Sequence, residues 1–176
     1  MAEELATNTS ADTAGMATVV YGDALAVGEE TLTWVDAVQT MDDKGEVTIA
    51  TGEVTATAAA SGNDAFAYAM TEAVVEGADI VIMKAKNSSD GSGYDVSITK
   101  FKAIDVEHLD GVTKFICSNK TTYEAQATID LDGNVAMASV DAETRGTDTF
   151  VGVDAYVLAI EDDLSQSTVV ITSAVG

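Results

Sequence analysis

Short runs rich in Val, Ile and Thr recur along the chain, and Gly, Asp, Asn and Ser separate them. A strand turns successive side chains to opposite faces, and branched side chains pack well on a pleated surface, so runs of this make-up predict β-strands. The candidates are Thr18–Tyr21, Thr31–Thr40, Glu46–Thr51, Glu53–Ala59, Ile80–Lys86, Tyr94–Ala103, Thr113–Cys117, Thr122–Asp130, Asn134–Val140, Thr149–Ile160 and Thr168–Ser173. Turn signals lie between them: Asp42-Asp43-Lys44-Gly45, the polar stretch from Ser88 to Gly93, Asp110-Gly111 and Asp132-Gly133. The last of these suits the left-handed dihedrals of a tight type I′ hairpin turn. Regular short strands with such punctuation predict a mainly β protein, an antiparallel β-sandwich or barrel.

One stretch reads two ways. As a strand, Ala65–Glu76 puts Phe66, Tyr68 and Met70 on one face and the alanines on the other. As a helix, Asn63 or Asp64 caps it, Phe66, Met70, Ala73 and Val74 form a stripe, and Gly77 ends it. The expectation is one short helix near 66–76. Residues 1–15 are small and polar without periodicity, and read as an extended N-terminal arm before a β domain over 16–176. A faint internal echo relates Gly62-Asn63-Asp64-Ala65-Phe66 to Gly146-Thr147-Asp148-Thr149-Phe150, and Ala78–Ile82 to Ser167–Ile171. A duplication would divide the domain into similar halves, about 16–87 and 94–176.

Composition agrees with a packed β core. Of 176 residues, 47 % are apolar, which excludes wholesale disorder, and Gly numbers 14 while Pro is absent. Charge changes the picture more. Asp and Glu total 30 against eight Lys and Arg, a formal net charge of −22. Phosphate binding needs clustered cations, so direct nucleic-acid binding is not expected, nor is an anionic membrane. No hydrophobic run approaches the length of a membrane span. The acidic surface reads first as a solvated one and second as a source of carboxylate ligands for divalent cations.

Calcium is the cofactor to weigh. Asp130, Asp132 and Asn134 offer oxygen ligands at alternate positions, with Asp141 at the twelfth. An EF-hand loop, however, wants Gly at the sixth position and a bidentate Glu at the twelfth, whereas here Gly133 is fourth. The turn is the favoured reading, with a Ca2+ site at these three residues kept as the one metal candidate. Catalysis has less support. His108 is the sole histidine and sits among carboxylates, without a Gly-x-Ser-x-Gly elbow. No phosphate-cradling glycine motif precedes a helix. Cys117 is alone and lies in an apolar run, so a buried inert thiol is expected. Trp34 alternates with Val35 and is expected in the core rather than as a binding platform.

These features fit a non-catalytic structural subunit that self-assembles as a homo-oligomer. The expected setting is a virion, in the tail tube or head decoration of a tailed virus. A cell-surface or extracellular filament subunit is the first alternative, and Met1-Ala2-Glu3-Glu4-Leu5, with neither the basic nor the apolar segment of an export signal, weighs against it. A ligand-binding β module is the second. Packing copies that each carry −22 requires screening by salt or neutralisation by cations.

Overall fold

The computed structural model describes residues 15–90, 93–107, 114–123 and 133–176. These form ten strands: β1 (Ala17–Val27), β2 (Glu30–Asp43), β3 (Val47–Ser61), β4 (Phe66–Glu76), β5 (Ile80–Ser89), β6 (Tyr94–Val106), β7 (Lys114–Tyr123), β8 (Asn134–Arg145), β9 (Thr149–Ile160) and β10 (Leu164–Val175). They build two sheets. The smaller has the order β4-β1-β10-β9 and the larger the order β7-β5-β6-β3-β2-β8. Each sheet draws on both halves of the chain. Most neighbours are antiparallel, but β8 joins β2 and β7 joins β5 in parallel, at opposite edges of the larger sheet. The sheets stack face to face, with β4 over β6 and β3, β1 over β2 and β3, and β10 over β2 and β8. Among the described residues neither sheet closes on itself, so the fold is a β-sandwich and not a closed barrel.

Alternation explains the layers. Along β1, Thr18, Val20, Gly22, Ala24 and Ala26 point inward, and along β10 Ser165, Ser167, Val169, Ile171, Ser173 and Val175 do the same. The opposing faces bring Val35, Ala37 and Met41 from β2 and Ala50, Val54, Ala56 and Ala58 from β3. These side chains are mostly small, which lets the layers approach closely. At Gly22 a Cβ would lie 2.7 Å from Val35 Cγ1 and 2.8 Å from Val54 Cγ2, so the second sheet occupies the space a side chain would take. Some hydroxyls pair across the gap, although the buried Ser165 and Ser173 hydroxyls have no hydrogen-bond partner among the described residues. Thr71 lies 2.8 Å from both Ser97 and Thr99, and Ser97 donates to Asn87 at 2.8 Å.

The expected helix near 66–76 is instead the strand β4, and no helix occurs among the described residues. The reason lies in the partner. Every residue of β4 pairs with β1, from Phe66 opposite Val27 to Glu76 opposite Ala17. Ala67, Ala69, Thr71 and Ala73 then supply the small inner face this thin core requires, which a helical stripe of Phe66 and Met70 could not. Gly77, at φ +76°, still ends the element. The candidates Glu46–Thr51 and Glu53–Ala59 are one continuous strand, β3, because Gly52 does not interrupt pairing to β2 or β6. Residues 1–14 of the proposed arm, His108, and most of the candidate strand Thr122–Asp130 lie outside the described residues.

Candidate interaction surface

The sites singled out in the sequence fall in different places. Asp130 and Asp132 lie outside the described residues, while Asn134 opens β8. Its amide Nδ2 donates to Thr31 Oγ1 at 2.8 Å, and its Oδ1 accepts the backbone N–H of Asp162 at 3.3 Å. The side chain thus ties β8 to β2 and to the β9–β10 turn. Gly133 has φ +80°, the left-handed conformation expected of a turn glycine. Among the described residues, no group of three or more His, Cys, Asp or Glu is arranged to hold a metal ion. A shallow cleft at the same end is lined by Val27, Gly28, Glu29, Asn63, Asp64, Asp162 and Asp163, so its charged groups are all carboxylates.

Two expectations are overturned. Trp34 is not in the core: Val35 takes the inward position, and the indole stands on the outer face of the larger sheet, 46 % exposed. Its register neighbours are Thr57 on β3 and Met137 on β8, the latter also exposed. Cys117 is exposed as well, on the edge strand β7. An apolar run does not bury itself when its strand reaches past the opposite sheet. The four-stranded layer covers β6 but not β7, so Phe115 is 60 % exposed.

Exposed apolar groups are concentrated rather than scattered. On the smaller sheet Phe66, Tyr68 and Val74 of β4 and Phe150, Tyr156 and Ile160 of β9 face solvent. The opposite side of β9 adds Val151, Val153 and Val157, so that edge strand exposes apolar side chains on both faces. The β4 edge is partly blunted, because the Asp95 carboxylate on β6 accepts the Ala69 N–H at 2.9 Å. Burial raises the pKa of Asp95 above the usual carboxylate range, against the opposing pull of backbone N–H donors. Burial likewise raises Tyr21, with nearby Asp23 and Glu72 adding to the effect.

Among the strand residues, cations are confined to the outer face of the larger sheet. None of β1, β4, β9 and β10 contains Lys or Arg, while Asp23, Glu72, Glu76 and Asp154 all occupy outward positions there. Register across that sheet sets Glu72, Tyr21, Val170 and Asp154 in one row, with Asp23 in the next. The larger sheet gathers its lysines at the β7-β5-β6 end, while the rest of its outer face bears Asp36, Glu53, Asp141 and Glu143. Lys84 lies opposite Lys100, Lys86 beside Lys120, Lys102 opposite Ile82, and Lys114 beside Ile80. All six lysines share the outer face of β7-β5-β6. They are six of the eight cationic residues in the chain. Lys100 pairs with Glu53 at 2.6 Å, whereas the ion pairs of Lys44 with Asp42 and of Arg145 with Glu143 lie elsewhere. This face was overlooked in the sequence, though Lys84-x-Lys86 and Lys100-x-Lys102 carry its signal, since residues two apart on a strand share a face.

The geometry defines a two-layer β-sandwich whose distinctive surfaces are broad outer faces and edge strands. The chain matches no family model, and comparison with curated proteins finds none similar in sequence.

Proposed function

We propose that this protein is a structural subunit that assembles with copies of itself. The observation that carries this reading is the exposure of large apolar side chains on the outer faces of both sheets and on both faces of β9. Contiguous patches of this kind are rare on monomers and mark contact surfaces. Among the described residues β7, β8 and β9 are edge strands, and such edges offer backbone that a neighbouring strand can extend. The setting we infer is the tail tube or head decoration of a tailed virus, where many copies of one sandwich cover each other's faces. Sedimentation velocity at tens of micromolar protein in ~0.5 M salt tests the reading, with a homo-oligomer or larger particle expected. A monomer under those conditions overturns it. Labelling of virions with an antibody, against labelling of cell surfaces, separates the viral setting from an extracellular filament.

A second reading, a ligand-binding β module, gains from the exposed Trp34 beside Met137. Carbohydrate binding that disappears in Trp34→Ala without loss of fold would favour it.

A further inference from the structure

We propose that the lysine face of β7-β5-β6 docks on the acidic outer face of β4-β1-β10-β9 in a second copy of the chain, a head-to-tail contact that rests on the self-assembly reading above. Three observations converge. Lys84 and Lys100 are direct cross-strand partners, and like charges in that position destabilise a sheet. Lys86 and Lys120 repeat the arrangement on the next pair of strands. A sheet that gathers six lysines against local repulsion is shaped for an external anion, with Lys100 held by Glu53 and the like-charged pairs left facing one another.

The chain itself carries the matching surface. The outer face of the smaller sheet bears Asp23, Glu72, Glu76 and Asp154 and no cation from its own strands. The two patches are comparable in area, though differently proportioned. Lys114 to Lys120 spans six residues, roughly 20 Å of strand, and the basic face is three strands wide, about 10 Å between its outer strands. Glu72 and Asp154 stand three strand spacings apart, about 14 Å, and Glu72 to Glu76 covers about 13 Å along β4. Both faces interleave charge with apolar side chains, Ile82 and Ile116 on one and Tyr68 and Tyr156 on the other, so contact desolvates the ion pairs and buries apolar area together. Because the two surfaces differ, the contact is heterologous. Repeated, it gives a ring if the rotation closes and a filament or tube if it does not.

A charge-exchange experiment tests this. Lys84→Glu/Lys100→Glu and Glu72→Lys/Asp154→Lys change only exposed positions, and circular dichroism with thermal melting verifies that each variant folds. By sedimentation velocity each variant alone should associate on the order of a hundredfold more weakly than wild type. An equimolar mixture should recover assembly, because each supplies the face the other has lost. Variants that assemble as wild type does, or folded variants whose mixture stays monomeric, overturn the docking proposal while leaving self-assembly intact. Binding of a short DNA duplex by wild type that the lysine variant abolishes, with assembly unchanged, assigns the face to nucleic acid and also overturns it. A wild type that remains monomeric removes the self-assembly reading and this proposal with it.

Discussion

Thr33 on β2 and Ser167 on β10 meet hydroxyl to hydroxyl at 2.9 Å between the two sheets, and neither side chain is exposed. The Ser167 hydroxyl also reaches the Thr33 carbonyl at 3.4 Å. Such a pair joins the layers where the core has few large side chains to do so. Removing one member strands a buried polar group, which costs about 1–3 kcal/mol, whereas removing both is close to neutral. Thr33→Val and Ser167→Ala should each lower stability in urea unfolding, and the double variant should lose clearly less than the sum. Strict additivity would show that the hydroxyls do not act as a pair.

Gly52 and Phe101 are register partners on β3 and β6, and the aromatic ring lies over the glycine. A Cβ at position 52 would be 2.1 Å from Phe101 Cε1. Gly52→Ala must therefore push the ring from its place, at a cost of about 1–3 kcal/mol for overpacking. Phe101→Leu in the same chain removes the clash, so the double variant should recover part of the loss seen by thermal melting. Equal stability of Gly52→Ala and wild type would contradict the packing described.

That glycine also shows what the sequence could and could not convey. The strand pattern identified most of the elements, and Thr149–Ile160 coincides with β9 from end to end. Gly52 looked like a break because a glycine in a run resembles a turn, but its role is set by Phe101, forty-nine residues away along the chain. Likewise Phe66–Glu76 permits a helix by periodicity, and only the free edge of β1 selects the strand. Trp34 and Cys117 were misplaced for a related cause. Alternation reveals that a strand has two faces, but which face is covered depends on the partner sheet. The lysine face needed the pairing of β5 with β6 and β7 before two short Lys-x-Lys patterns became one surface.

Asp95 makes stability depend on pH with a definite sign. Its folded pKa is raised, chiefly by burial, so the folded state holds the proton more tightly than the unfolded chain does. Its contribution is fully present below the ordinary carboxylate range and is lost as pH rises through the folded pKa. Asn at this position has no proton to lose and keeps an oxygen to accept the Ala69 N–H. Asp95→Asn should therefore gain stability relative to wild type as pH is raised from strongly acid to neutral. Chemical unfolding at a series of pH values checks this, and a difference independent of pH would refute it.

Trp34 is the only tryptophan and stands on an outer face, so its fluorescence reports whether that face is covered. In the dissociated subunit its emission should resemble that of a water-exposed indole. If assembly covers the Trp34 and Met137 region, emission should shift to the blue and iodide quenching should weaken in step with particle mass. Emission unchanged through full assembly would place this region outside the contact and leave it open for a ligand.

Salt should govern association in the opposite sense to a simple ion pair. Each copy carries −22, and at ~10 mM ionic strength the screening length of about 30 Å lets whole subunits repel one another. Near 0.15 M it falls to about 8 Å, which weakens that long-range repulsion while contacts a few ångströms apart, partly desolvated by apolar neighbours, are screened much less. Association measured by sedimentation should therefore be weakest at the lowest salt and strengthen toward ~0.5 M, where salt also does not oppose burial of the exposed Phe66, Tyr156 and Val153. A steady decline from the lowest salt upward would mean that local attraction between the lysine and carboxylate faces outweighs the net charge at every distance.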